Sequence, residues 1–130
     1  MYLVFPRLLE WSDVALLLMR LLVGWVFFYS GVSHFRDPVG RGKSIEMSPA
    51  FTRMLGLLEM AGGLGVAIGV LAQIAALGLI LISLGAIQKK LFVWHTGFWG
   101  DKSYGWHYDS LLVTMNLVIA TTGGGRLVLL

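Results

Sequence analysis

Four long apolar stretches alternate with polar segments along this chain. They cover about residues 14–35, 54–71, 73–93 and 108–122, and the last is the shortest. A helix needs about 20 mainly apolar residues to cross the hydrocarbon core of a bilayer. The pattern therefore predicts an all-α membrane protein, an antiparallel bundle of four transmembrane helices that forms a single domain over residues 1–130.

The polar segments predict which helix ends lie together. The connection around Ala72 and Gln73 is so short that the second and third stretches should form a tight hairpin. One end of the bundle, here called the terminal face, then holds this hairpin and both chain termini. The other end, called the basic face, holds the loops of residues 36–53 and 91–107.

Lysine and arginine are distributed unequally between these faces. The terminal face has Arg7 and Arg126, and the basic face has Arg36, Arg41, Lys43, Arg53, Lys89, Lys90 and Lys102. Cytoplasmic loops are enriched in these residues. The distribution predicts a multi-pass protein of the cell (inner) membrane with both termini outside. The first stretch has no A-x-A cleavage pattern and is interpreted as a retained helix rather than a signal peptide.

The composition excludes several classes of protein. Hydrophobic residues make up 57% of the chain and charged residues 13%, with a mean hydropathy of +0.78, whereas a soluble domain is about 25% charged. A soluble enzyme and a free nucleic-acid-binding protein are therefore excluded, and the lipid bilayer is the expected partner. Because there is no cysteine, dithiol–disulfide exchange is excluded as well.

The apolar stretches are rich in glycine, which lets helix backbones approach closely in lipid. The glycines expected to pack helices together are Gly24, Gly31, Gly62, Gly65, Gly69, Gly78 and Gly85. A tightly packed bundle is the first interpretation, and a seam between two copies of the chain is the alternative.

Polar residues within the apolar stretches indicate a candidate functional site, because each is costly in hydrocarbon. The residues assigned to this polar pocket are Arg20, His34, Glu59, Gln88, Lys89, His95, Asp109 and Asn116. The pocket should open at the basic face beneath the aromatic loop of residues 91–107. Glu59 is expected to pair with Lys89, and Lys90 is expected to be a plain interface anchor. Each of these residues also has a purely structural interpretation.

No metal site is predicted, because His34, His95 and His107 match no ligand motif. The run GRGKS at residues 40–44 lacks the first glycine of a phosphate-binding loop, since Asp37 stands there. No flavin, haem or iron–sulfur motif is evident either.

Several segments together resemble the DoxX family of small four-helix membrane proteins. They are RLLVGWVFFYSGVSHF (20–35), EMAGGLGVAIGVL (59–71), KKLFVWH (89–95), Asp109 and TGGGR (122–126). Arg20, Gly24, Gly31, His34, Glu59 and Asp109 match recurrent family positions. The chain differs where the family often has lysine, at His34, and where it often has Thr-Gly-Pro-Gly-Arg with an acidic tail.

The resemblance implies a link to quinone-linked oxidoreductases, with a quinone as cofactor and a redox subunit as partner. The chain is therefore expected to be a small subunit or accessory protein of such a complex. Two alternatives stay open: a structural or assembly protein without a ligand, and a small proton-coupled transporter that uses Glu59. Whether the chain is itself an enzyme is left open.

Overall fold

The computed structural model describes residues 3–100 and 104–129, and this part of the chain is all-α. Its helices are α1 (Ser12–Arg36), α2 (Pro38–Ile45), α3 (Pro49–Ile68), α4 (Ala72–Gln88) and α5 (Trp106–Thr122). A 3-10 segment, Pro6–Trp11, leads into α1, and a π-helical turn, Lys89–Val93, continues α4.

Three helical stretches are long and apolar enough to cross a membrane: Pro6–Arg36, Pro49–Ile68 and Ala72–Val93. Many of their large apolar side chains point outward, such as Trp25 and Leu81, which are 70% and 71% exposed. A water-soluble protein rarely exposes so much contiguous apolar surface. The chain is a multi-pass membrane protein.

A short helix, α2, lies within the segment that the sequence predicted as a polar loop after the first stretch. Pro38 stands in the first turn, where its missing N–H costs nothing. The Asp37 side chain accepts a hydrogen bond of 3.1 Å from the Gly40 N–H. Glu46 ends the helix in the left-handed conformation, with a φ of 60°. These local signals mark where the helix begins and ends within the polar loop.

Glycines bring α1 and α3 into close antiparallel contact. A Cβ on Gly31 would lie 2.6 Å from the Gly56 carbonyl oxygen, and one on Gly24 would lie 2.5 Å from that of Gly63. Real Cβ atoms do not approach so closely, so the two backbones touch where only hydrogen atoms fit. Gly56 and Gly63 were not among the glycines singled out in the sequence.

The other predicted glycines divide into two groups. Gly62 lies against Leu79, Gly65 lies near Ala75, and Gly69 ends α3 with a φ of 78°. Gly78 and Gly85 have nothing within 4 Å of an added Cβ. The prediction that these two pack helices together is therefore wrong within one copy of the chain, because they lie on the outer face of α4.

Helices α4 and α5 form a second antiparallel pair, joined to the first by the tight α3–α4 turn. The Gln73 side chain donates a hydrogen bond of 2.9 Å to the Ala120 carbonyl near one end, and Lys90 contacts Asp109 near the other. Between the pairs lies a buried apolar core that includes Phe27, Leu79 and Ile119. This register places buried polar side chains at defined levels of the bundle.

Candidate functional site

Polar side chains are buried along the inner faces of α1, α3, α4 and α5. They are Arg20, His34, Thr52, Glu59, Ser83, Asp109 and Asn116. Such groups are costly inside a membrane protein unless they are paired or hydrogen-bonded. Their arrangement shows which residues of the predicted pocket come together.

His34 and Glu59 form the first buried pair. Glu59 Oε1 lies 2.9 Å from His34 Nδ1, and both side chains are at most 6% exposed. Helical side chains lean toward the N-terminus of their own helix. Because α1 and α3 are antiparallel, His34 and Glu59 lean toward each other and meet between their backbone positions. His34 Nδ1 also lies 2.9 Å from the Ser30 carbonyl oxygen.

Arg41 of α2 contacts the opposite side of the His34 ring. Its Nη2 lies 3.3 Å from His34 Nε2. The sequence counted Arg41 only as a basic loop residue. His34 and Arg41 are seven residues apart. This spacing indicates a contact only when the helix break at Asp37 and the following helix α2 are also known.

Lys90 and Asp109 form the second buried pair. Their Nζ and Oδ2 atoms are 2.7 Å apart, and the side chains are 14% and 8% exposed. Lys90 Nζ also donates to the Gly105 carbonyl at 3.4 Å and lies 5.7 Å from the centre of the Tyr108 ring. This arrangement links α4, α5 and the segment between them.

The pairing corrects the expectation for the two lysines. Glu59 pairs with His34 rather than Lys89, and Lys90 is an ion-pair partner rather than an interface anchor. Lys90 follows the buried Ser83 by seven residues and therefore shares its helix face. Lys89 lies about 100° away around the helix and is only half-buried.

Two further polar atoms face the interior without a partner. Ser83 Oγ and Asn116 Oδ1 are both buried and have no hydrogen-bond partner among the described residues. Ser83 lies seven residues before Lys90 on α4, and Asn116 lies seven residues after Asp109 on α5. Because α4 and α5 are antiparallel and Lys90 contacts Asp109, Ser83 and Asn116 lie at the same level of this pair. Since Gly62 faces Leu79, Glu59 lies at nearly this level on α3. The three residues thus form a polar layer.

The two buried pairs lie toward the same end of the bundle. Glu59 belongs to the polar layer, and Ser83 and Asn116 of this layer share helix faces with Lys90 and Asp109. The buried polar site of this chain, toward the basic face, consists of His34, Glu59, Lys90, Asp109 and the polar layer.

The aromatic segment after α4 lies beside this site. Phe98 packs edge-on against Trp106, with ring centres 4.5 Å apart, and His107 Nδ1 lies 2.6 Å from the Phe98 carbonyl oxygen. Trp99 is 77% exposed and Tyr104 is 66% exposed. This pattern is typical of side chains that lie at a membrane–water interface. Lys102 lies outside the described residues.

Two residues assigned to the pocket do not join it. Gln88 and His95 are exposed, and His95 has a φ of 51° in the segment after the π-helical turn. Gln88 is five residues from Ser83 and so points to the outside of α4. Among residues 3–100 and 104–129, no three His, Cys, Asp or Glu side chains are grouped as a metal site would need.

Arg20 also lies away from the site, near the opposite end of the bundle. Its Nη2 donates to the Leu127 carbonyl oxygen, and the side chain is fully buried. Gly69 and Gly124 lie so close to Arg20 that a Cβ on either would collide with its side chain. The carbonyl ends of α3 and α5 meet here, and their partial negative charge favours a cation.

A C-terminal tail, residues 124–129, closes this end over Arg20. The Arg126 N–H donates to Asp13 Oδ1 at 2.9 Å, and the Leu129 N–H donates to the Ile68 carbonyl at 3.2 Å. Arg20 is therefore part of a contact between the tail and the helix ends, not part of the polar site.

We expect Asp13→Ala to loosen the tail without unfolding the bundle. A hydrogen bond to an exposed carboxylate contributes about 1 kcal/mol, so the Arg126 amide should exchange its hydrogen roughly fivefold faster. Hydrogen exchange followed by NMR measures this rate, and Asp13→Asn, which keeps an acceptor oxygen, is the control. Unchanged exchange in Asp13→Ala would show that this contact does not hold the tail.

Comparison with known proteins identifies the family of this chain. The DoxX family model matches residues 15–96, a range that includes α2, α3, α4 and nearly all of α1. The chain is also similar to the uncharacterized membrane protein Rv3486 of Mycobacterium tuberculosis, with 33% identity over 110 residues, 73% of this chain and 68% of that protein. No solved structure matches the chain. A match over most of the helical region, including the His34–Glu59 pair, shows that this chain belongs to the DoxX family.

Proposed function

We propose that this protein is a small membrane subunit of a quinone-linked redox complex and that its buried polar site binds the quinone head group. The observation that carries the proposal is the polar layer, in which Ser83 Oγ and Asn116 Oδ1 are buried and have no hydrogen-bond partner in the described part of the chain. A buried polar atom without a partner costs about 1–3 kcal/mol. Such a cost is explained if a ligand satisfies these atoms.

The hydrogen-bonding groups of the polar layer suit a quinone head group. The Ser83 hydroxyl can donate to a carbonyl oxygen, and the Asn116 amide oxygen can accept from a hydroxyl group. The apolar helix surfaces around the layer suit an isoprenoid tail in lipid. When bound, a quinone supplies reversible transfer of electrons and protons.

Glu59 and His34 suit the proton transfer that accompanies reduction of a quinone. Glu59 Oε1 has no hydrogen-bond partner among the described residues although it lies 2.9 Å from His34 Nδ1. A carboxylate beside an imidazole can take up a proton at Oε1 or hold its charge against an Nδ1–H. Lys90 and Asp109 neutralise each other nearby and so position α4 and α5 without adding net charge.

The membrane arrangement follows from the same proposal. Helix α5 has 17 residues, about 26 Å of helix. It serves as the fourth span of an antiparallel bundle and is shorter than the spans Pro6–Arg36, Pro49–Ile68 and Ala72–Val93. The excess of Lys and Arg at the basic face supports an orientation with this face in the cytoplasm, in the cell (inner) membrane, and with both termini outside. In this arrangement the electrons come from a redox partner subunit. That the chain forms a homo-oligomer is a separate prediction.

Extraction of bound quinone tests the proposal. Purified in mild detergent, the wild-type protein should retain quinone, and Ser83→Ala combined with Asn116→Leu should lower the quinone-to-protein ratio roughly tenfold or more. Removing unpartnered polar atoms should leave the melting temperature of the ligand-free protein unchanged or higher. Thr114→Val, on the exposed face of α5, is the control and should retain the quinone.

Other outcomes favour the alternatives. If no quinone and no redox subunit accompany the wild-type protein, the proposal is wrong and an assembly role becomes the better account. If Glu59→Gln abolishes proton or drug flux in vesicles while quinone is absent, the protein is a transporter.

A further inference from the structure

Helix α2 presents Arg41 to the buried site from the basic face. The capping contact of Asp37 and the left-handed Glu46 fix where this helix begins and ends. Gly42 packs against the first turn of α3, where a Cβ would lie 2.9 Å from Thr52 Oγ1. The close contact at Gly42 holds α2 against α3, so that the half-buried Arg41 reaches His34.

The chemistry of arginine determines the protonation of His34. A guanidinium group has donors only, so a hydrogen bond from Arg41 Nη2 requires His34 Nε2 to be the acceptor. A neutral imidazole then carries its proton on Nδ1. That proton faces the two oxygen atoms at 2.9 Å, the Ser30 carbonyl and Glu59 Oε1.

We propose that Arg41 is a positioning residue that holds His34 neutral with its proton on Nδ1, and that α2 thereby controls proton access from the basic face to Glu59. The role as a proton path rests on the proposed function, whereas the protonation of His34 does not. The charged groups that face His34 are Glu59 from α3 and Arg41 from α2. On α4 and α5, Lys90 and Asp109 are paired with each other.

Protonation of His34 at Nε2 requires α2 to move. A protonated imidazole has N–H donors at both nitrogens and no acceptor. His34 can therefore take a proton on Nε2 only when Arg41 moves away, and α2 is the element that must shift. Proton uptake from the basic face and the Arg41 contact exclude each other.

Nitrogen-15 NMR of histidine-labelled protein at neutral pH tests this assignment. Wild-type His34, identified by loss of its signals in His34→Gln, should show one protonated and one bare nitrogen, with the proton on Nδ1. In Arg41→Met, Glu59 should draw a second proton to the ring, and both nitrogens should appear protonated. Arg41→Lys, which restores a donor, should return the wild-type signals. Arg53→Met, an exposed arginine on α3, should leave them unchanged.

Several results would overturn the proposal. A wild-type spectrum with the proton on Nε2, or on both nitrogens, contradicts it without any Arg41 variant, even if Arg41→Met does not fold. The same signals in Arg41→Met as in wild type, no return in Arg41→Lys, or an equal change in Arg53→Met also contradict it. Quinone content measured on the same samples separates this test from that of the function: the tautomer can be as expected in a protein that binds no quinone.

Discussion

Replacing Lys90 by methionine should lower the free energy of unfolding by about 3–5 kcal/mol, because it leaves Asp109 as a buried carboxylate without a counter-charge. Lys90 Nζ lies 2.7 Å from Asp109 Oδ2, and the aspartate side chain is only 8% exposed. The variant also loses the donor to the Gly105 carbonyl. Reversible unfolding of the detergent-solubilised protein measures the change.

The neighbouring lysine provides the matched control. Lys89→Met removes a charge of the same type one residue away. It should change the unfolding free energy by about 0.5 kcal/mol or less, as expected for a partly exposed side chain that forms no ion pair with residues 3–100 or 104–129. Lys90→Met combined with Asp109→Leu should recover most of the loss, since an apolar pair of similar size replaces a buried ion pair at little cost. Equal effects of the two single lysine variants would contradict the assigned pairing.

Gly31→Val should separate α1 from α3 and destabilise the protein by more than the roughly 1–3 kcal/mol typical of core overpacking. The added Cβ would lie 2.6 Å from the Gly56 carbonyl oxygen and 2.8 Å from the Met60 backbone nitrogen. Both are backbone atoms, so neither can turn aside as a flexible side chain could. The melting temperature and the yield of folded protein in detergent report the effect.

Gly85→Val distinguishes packing from helix propensity. Gly85 is also within a helix, but nothing lies within 4 Å of its added Cβ. Valine is no worse a helix former than glycine, so this variant should fold and melt close to wild type. A similar loss for Gly85→Val and Gly31→Val would mean that the close α1–α3 approach is not what limits substitution at Gly31.

The membrane character and family of this chain could be predicted from its sequence because both depend on local properties. The apolar stretches predicted helices that the structure contains, and the DoxX resemblance is confirmed by the family match over residues 15–96. The boundaries were less accurate where a local signal was overlooked. Helix α3 begins at Pro49, before the apolar stretch, because the Ser48 side chain caps it through the Phe51 N–H at 3.2 Å.

The partners of the buried polar residues were predicted less well. The pocket predicted from the sequence combined Gln88, Lys89, His95 and Arg20 with Glu59, whereas the structure does not bring them together. The stripe from Ser83 to Lys90 was readable from the seven-residue spacing, as was that from Asp109 to Asn116. The α2 helix, and with it Arg41, was not, because its placement depends on the close contact of Gly42 with α3.

Hydrophobic patterning along the chain was thus enough to establish that this protein lies in lipid, since hydropathy is a property of each segment taken alone. Only tertiary structure decided which lysine meets which carboxylate and how Arg41 reaches His34. The same is true of the contact between Arg20 and the Leu127 carbonyl. These contacts depend on the rotation and register of one helix against another. Close glycine contacts and the tight α3–α4 turn set both quantities, and they act between segments far apart in the chain.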